Sequence, residues 1–568
     1  NILRKYPDGG QILKELIQNA DDAKASKVIF VYDERQYGTE RIYSKELCSI
    51  QGPALLVYNN EMFTDKDWEG IQKPGNSIKR KDPDTVGRFG LGFNSVYHIT
   101  DYPCIFSGKH IGILDPQEDV FRRGGLQWSL EGSRQWLDEL ADQFHPFQKG
   151  LEAIGCGTWN EVLRTGCFKG TVFRFPLRVK PSEISDNIYS SEKVQELFES
   201  FIKDANISLL FLRHVNSVSL KKIGSDGKVC DLLTVSVSTE KIAEKHLEDI
   251  SAKTYFKVTS LKVFGKDKEE CKWLVTTSSV HGSLFSDLIE LGSKLCNKPA
   301  LDLAYPLSKQ GIDFFAGRLS CVLPLPDKEE NQTGLPVIIN GCFDLTDDRR
   351  SMKWLEVDQQ HDEAAKWNQI LVERLLPLVY TCAVKDAVSL VNLSKITREA
   401  AYAIWPDPAK TEHKGRWYTL TKQMASCLTK EKILQTAGEC NWISAPEAVF
   451  LFCDNKELLN CLEELLLLQN EPLVKVPGHV HKTLTLAESS AKKLNNVSPS
   501  YIRKLLQNGD WRTFPHEKKL LLLRYIISDS QYNDLLNIQL LPLSDGTFIS
   551  FQNTDSYGMA YIDSTDFP

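Results

Sequence analysis

The sequence predicts an α/β protein in three parts: an α/β domain over residues 1–185, a second α/β domain over 186–358, and a mainly helical region with a few short strands over 359–568. Three observations predict it. Helix-period and strand-like segments alternate through the first part. One helix followed by a series of short β-branched runs fills the second. From about residue 360 the apolar spacing turns to the helical period.

The elements follow in order. "ILKELIQNADDA" (12–23) has helical spacing, and "SKVIFVYD" (26–33) and "ALLVYNN" (54–60) are short apolar runs that suit strands. "TVGRFGLGFNSVYHITD" (85–101) carries Gly87, Gly90 and Gly92 and then turns apolar and helical. "GTVFRFPLR" (170–178) alternates like a strand, and the polar stretch around Pro181 marks a boundary. "KVQELFESFIKDA" (193–205) is a helix. "LLFLRHVNSVSL", "LLTVSVS", "CKWLVTTSS", "RLSCVLPLP" and "PVIINGCFDL" are strand-like. "AAKWNQILVERLLPLVYTCAVK" and "KELLNCLEELLLLQN" are strong helices. Two tail segments, "NWISAPEAVFLF" and "IQLLPLSDGTFISF", share a loose shape and suggest an internal echo.

Composition narrows the function. A net charge of −7 over 568 residues gives no global case for a nucleic-acid partner. The 14 cysteines stand singly, without a CxxC pair, which suits reduced thiols in a cytoplasmic protein better than zinc or disulfides. His479 and His481 could ligate a metal, but neighbouring ligands are lacking, so a surface or loop role is expected. No apolar run approaches the roughly 18 residues of a membrane span, and "LLLLRYII" (520–527) suits a buried helix. There is no secretory signal, and the chain, starting at Asn1, reads as a piece of a longer multidomain protein.

The first helix carries the chemistry. At about 100° per residue, Ile12, Leu13, Leu16, Ala20 and Ala23 share one arc, while Glu15, Asn19 and Asp22 fall within about 60° of one another on the adjacent face. The bland alternative is a solvated polar stripe. However, the stripe has two carboxylates and an amide with no lysine. Such oxygens suit a magnesium ion that carries phosphates. A carboxylate one turn earlier could orient water for attack on a terminal phosphate. The glycines at 87–92 could form the phosphate cradle, or a flexible loop. Lys79, Arg80 and Lys81 are either a solvated run or part of a lid. No phosphate-binding loop of the GxxxxGK[ST] type is present, and no GxGxxG follows the first strand.

Together, ExxxNxxDA, a strand, a glycine segment ending in GxFGxGF and a GTxhxh strand resemble the ATP-binding domain shared by gyrase, the heat-shock-90 chaperones, MutL and the sensor histidine kinases. "VGRFGLGFNSVYHITD" resembles the chaperone branch most. "KELIQNADDA", "FNSVYHITDYP" and "GILDPQ" further resemble the repeats of the sacsin family, large cytoplasmic co-chaperone-like proteins. The resemblance implies a Bergerat-type α/β sandwich, ATP and magnesium as cofactors, lid closure with slow hydrolysis, and client or co-chaperone proteins as partners, with neither membrane nor nucleic acid. It implies that Glu15 activates water, that Asn19 holds magnesium and that Asp22 bonds near the base or ribose. It implies that Gly87, Gly90 and Gly92 line the triphosphate with Phe93 at the lid, that Lys73 lies beside the nucleotide, and that Thr171 helps hold adenine. In "DLTDDRRSMKW", Arg349 or Arg350 would reach the terminal phosphate, or else pair with Asp347 or Asp348.

One position departs from the family. Where the family has DxGxG, whose Asp accepts from the adenine amino group, this chain has Asn59 and Asn60 followed by Glu61 and Met62. Charged acceptors bind more strongly than neutral ones, so the loss costs on the order of 1–2 kcal/mol, or roughly tenfold in affinity. Crowding where glycine is expected costs more. Weak nucleotide binding, poor adenine selectivity or both follow, while Glu15 is retained for hydrolysis. The alternative is a scaffold that keeps the fold without the chemistry. A MutL-like nucleic-acid ATPase is disfavoured by the acidity and the chaperone-type glycine segment.

Overall fold

The computed structural model describes residues 3, 8–71, 92–246, 248–307, 317–346, 348–356, 361–438, 441–488, 493–508, 514–543 and 546–551. They divide into two compact units, Asn1–Ala383 and Val384–Pro568.

The first unit is built on one mixed sheet. Its strands are β1 (Lys27–Asp33), β2 (Ala54–Asn59), β3 (Cys104–Gly108), β4 (His110–Leu114), β5 (Gly125–Ser129), β6 (Phe168–Pro176), β7 (Ser217–Ile223), β8 (Val229–His246), β9 (Ile250–Val263), β10 (Glu269–Val280), β11 (Leu301–Pro306), β12 (Arg318–Cys321), β13 (Leu323–Pro324) and β14 (Ile338–Gly341). The order across the sheet is β13-β12-β14-β11-β10-β9-β8-β7-β1-β2-β6-β3-β4-β5. β1 pairs antiparallel with β2 and parallel with β7, Lys27 opposite Ser217 and Asp33 opposite Ile223. Strands from before and after residue 185 therefore share one hydrogen-bonded sheet.

β1 is buried from Val28 to Asp33, as its unbroken apolar run requires of a central strand. Its alternate residues face two different cores. Val28, Phe30 and Tyr32 pack with Ile12, Leu13, Leu16 and Ile17 of α1 (Gln11–Asp22). Val31 and Ile29 pack with Phe144, Phe147 and Leu151 of α2 (Ala141–Ile154). Helices thus cover both faces at the centre of the sheet. α3 (Ser191–Ser208) adds Val194, Leu197, Phe198 and Phe201 to the α1 side.

The sequence reading meets two local differences. The run expected to be a strand from Leu209 becomes one only at Ser217, because the N–H groups of Arg213, His214 and Val215 are taken by the buried carboxylate of Asp21. The segment after the glycines forms a 3-10 turn, Gly92–His98, rather than an α-helix.

In the second unit, α4 (Lys456–Leu468), α5 (Pro499–Asn508) and α6 (His516–Ile526) share a core of Leu462, Leu465, Leu466, Ile502, Leu506, Leu522, Leu523 and Ile526. The expected echo fails at the level of pairing. Trp442–Ile443 pairs with an upstream strand, Leu434–Gln435, whereas Leu541–Pro542 pairs within its own segment with Phe548–Ile549. Among the described residues one helical stretch, Glu363–Asn392, is long and apolar enough to cross a membrane, with a mean hydropathy of 1.3 over its best window. Of that window 72% is buried inside the protein, as in a core helix.

Candidate functional site

The polar stripe of α1 turns toward the chain segment that follows the glycines. Glu15 is buried, at 5% exposure. It lies so near Gly92 that a Cβ at position 92 would collide with Glu15 Oε2. Any larger residue at 92 would push the Glu15 carboxylate out of this position. Gln11 Nε2 donates to Glu15 Oε1 at 3.4 Å. From the other end of the unit, Arg349 Nη1 approaches the same oxygen at 3.4 Å. Burial raises the Glu15 pKa above the ordinary carboxylate value, and the Arg349 guanidinium partly offsets this.

Arg349 stands on a tight loop. Thr346 N–H donates to Ser351 O, and Arg349 N–H donates to Thr346 O. Asp348 accepts from Thr346 Oγ1 and from Arg350 N–H, closing the turn. The Arg349 backbone has φ +55°, a left-handed conformation that costs an arginine about 1 kcal/mol. The structure thus separates the two arginines: Arg349 meets Glu15, while Arg350 is held through its backbone, its N–H donating to Asp348 and its carbonyl accepting from Asn331 Nδ2.

Asn19 and Asp22 lie half-buried on the same side of α1 as Glu15. Phe93 packs at ring distances of 5.6 and 6.2 Å from Phe173 and Phe175 of β6. Thr171, also on β6, is paired across from Asn59 of β2. Its hydroxyl donates to Glu61 O at 2.7 Å and lies 2.7 Å from Ser107 Oγ. Asn59 Oδ1 accepts from Glu61 N–H. Asn60 Oδ1 accepts from the N–H groups of Ser26 and Lys27, and its Nδ2 donates to Ser26 Oγ. The Asn60 amide is therefore engaged in holding the turn into β1. Lys73, Gly87 and Gly90 lie outside the described residues, as do Lys79, Arg80, Lys81 and Asp347.

The donors present fit the two ends of a magnesium nucleotide unequally. A triphosphate would meet the buried Glu15 carboxylate, the Asn19 amide one turn on and the close Gly92 backbone. A base would meet Asn59 and Asn60, whose acceptors already serve the protein's own backbone.

Several charged groups escaped the sequence reading. Lys14 Nζ binds Asp204 Oδ2 at 2.9 Å and Pro324 O at 2.7 Å, and Arg318 Nη1 reaches Asp204 Oδ1 at 2.6 Å. This triad, with Lys14 buried and Asp204 and Arg318 half-buried, joins α1, α3 and the β12–β13 edge. Burial lowers the Lys14 pKa, which Asp204 opposes. Burial opposes ionisation of Asp204, yet Lys14 and Arg318 hold its carboxyl below the ordinary range. Arg178, 3% exposed, donates to Asp101 and to the carbonyls of His98, Tyr97 and Thr100, which fixes the end of the 3-10 turn. His479 and His481 stand on the helix Gly478–Leu486 rather than in a loop, and contact Tyr402 O and Asn496 Oδ1.

Such a fold and site define an α/β module in which the carboxylate of one helix is set between a glycine turn and an arginine 334 positions away. The chain belongs to the sacsin family. Its residues 1–233 match the Sacsin domain. It is similar to Sacsin of Homo sapiens, 40% identical over 615 residues, which is 100% of this chain and 13% of that protein. It is also similar to Protein NO VEIN of Arabidopsis thaliana, 22% identical over 577 residues, or 96% of this chain and 18% of that protein. The chain thus spans less than a fifth of either relative.

Proposed function

We propose that this sacsin-type module is a chaperone-like, ATP-responsive element with a Bergerat-type nucleotide site that binds weakly and turns over slowly. The observation that carries the reading is the buried Glu15 carboxylate, set against the Gly92 backbone and faced by Arg349. Bound magnesium would supply positive charge to a triphosphate. On the protein side, Asn19 would hold it, with Asp22 toward the ribose, and Glu15 would accept a proton from an attacking water. Arg349 is close enough to balance charge beside Glu15. Thr171 and Asn59, opposed on neighbouring strands, would flank the base. Closure of the glycine segment, a cytoplasmic setting and client or co-chaperone partners complete the proposal.

Titration calorimetry with Mg-ATP and phosphate release from wild type, Glu15→Ala and Asn59→Asp test it. Weak binding, loss of release in Glu15→Ala, and about tenfold tighter binding in Asn59→Asp are expected. Release that is identical in wild type and Glu15→Ala sinks the enzymatic reading.

A second reading has its own observation. The Asn59 and Asn60 amides serve the backbone, and Glu61 and Met62 stand where glycines are expected. On that reading the module is a scaffold for protein interaction with little or no ATPase activity. Absence of any heat with Mg-ATP from the folded chain favours it.

A further inference from the structure

At the tip of the β8–β9 hairpin, three adjacent strands bring two imidazoles to one hydroxyl. His246 ends β8 and pairs across from Ser251 of β9. On the other flank Ser251 pairs with Ser279 of β10. His281 lies two residues beyond Ser279, and its N–H donates to Asp249 O. His246 Nδ1 is 2.9 Å from Ser251 Oγ, and His281 Nε2 is 3.0 Å from the same oxygen. The second nitrogen of His246, Nε2, faces Glu244 Oε1 at 3.7 Å. Glu244 is in turn held by Lys241 and by Lys253 at 3.2 Å.

Two imidazole nitrogens converge on one point, and the Glu244 carboxylate stands 3.7 Å from the far nitrogen of His246, beyond a hydrogen bond but within reach after a small rotation of either exposed side chain. A histidine that binds a metal through one ring nitrogen commonly presents the other to a carboxylate, which fixes the tautomer and raises the basicity of the ligand. Here the carboxylate lies on the Nε2 side and Nδ1 is directed at the point shared with His281. Two nitrogens on one tetrahedral metal, at about 2.0–2.1 Å each, lie some ångströms closer together than two nitrogens that each contact Ser251 Oγ. Both histidines are exposed, so small side-chain rotations can close that gap without moving the strands. A pure hydrogen-bond role explains less. One hydroxyl stitches three strands without any need of Glu244 behind His246.

We propose that His246 and His281 form an open chelate for a borderline divalent cation such as Ni2+ or Zn2+, with Glu244 as the positioning carboxylate. Among the described residues no cluster of three or more His, Cys, Asp or Glu could enclose a metal, so water completes the shell and the site is open rather than closed. Hard cations are excluded, because the donors are imidazoles rather than carboxylates.

The test is calorimetric titration of the whole 568-residue chain with Ni2+, a cation that favours imidazole. Wild type should bind one more equivalent than the His246→Ala/His281→Ala double variant. Each single histidine variant should weaken that site at least about tenfold, and Glu244→Gln by about tenfold. Ser251→Ala should keep the site, since the hydroxyl is displaced rather than used. Circular dichroism confirms that these surface variants fold. Ni2+ should slow amide hydrogen exchange at 248–251 and 279–283 in wild type only. Equal Ni2+ uptake by wild type and the double variant, or exchange unchanged by Ni2+, overturns the proposal.

Discussion

Two carboxylates, one buried and one half-buried, show how differently one side-chain type is used. Asp204 is matched by two cations and several hydrogen bonds, and it stays ionised. Glu15 is buried with one distant guanidinium and an amide, and its pKa is raised. The signs follow from linkage. A lowered folded pKa makes Asp204 stabilising at neutral pH, an effect lost only as pH falls below the ordinary carboxylate range. Asp204→Asn leaves Lys14 and Arg318 unmatched and should cost about 3 kcal/mol in urea unfolding of the first unit. A raised folded pKa makes ionised Glu15 a cost at neutral pH, one that disappears as pH falls through that raised value. Glu15→Gln should therefore raise stability at pH 7.5 by on the order of 1 kcal/mol, with the difference shrinking toward pH 5 in parallel melts. A destabilised Glu15→Gln protein at pH 7.5 would show that Glu15 is structural. The geometry instead describes a carboxylate held at the expense of stability, as functional groups often are.

At the scale of the element, α1 is anchored by three charged side chains to parts of the chain that come much later. Lys14 goes to Asp204, Glu15 to Arg349, and Asp21 to the backbone of 213–215. The helix, its apolar arc from Ile12 to Ala20 and the Glu15–Asn19–Asp22 stripe were legible, because spacing along a helix is local information, whereas Ala23 lies exposed at the cap. The partners were not. Arg349 lies 334 positions away and the Asp21 partners 192 to 194 away, and local spacing carries nothing across that distance. Asp21 beside Asp22 shows the limit: one position of helix rotation separates a buried backbone cap from a half-exposed site candidate. Asp21→Ala orphans three N–H groups and should speed hydrogen exchange at 213–215 and cost about 2 kcal/mol, while Asp21→Asn, which keeps an acceptor, should cost less.

For the whole molecule, the decisive feature is the parallel pairing of β1 with β7. Strand-like runs on either side of residue 185 were readable one by one, but their pairing was not, since a period-2 pattern reports a buried face and not a neighbour. The pairing makes β1 a central strand, and the core on its α1 face draws Val194, Leu197, Phe198, Phe201, Val218 and Leu220 from beyond residue 185. A fragment of residues 1–185 would lose α3, expose that apolar face to water and leave β1 with an unpaired edge. A long, flat, apolar edge is a template for aggregation. The fragment should therefore be insoluble, or form β-rich aggregates, when expressed alone. Residues 1–395 retain β7 to β14 and α3 and keep the helix Leu376–Asn392 whole, so they should be soluble and melt cooperatively. Size-exclusion chromatography and calorimetric melts of the two fragments decide it. A monomeric, cooperatively melting 1–185 would mean that the segment carries its own complete core, and that the β1–β7 junction is a contact between separable domains rather than the centre of one sheet.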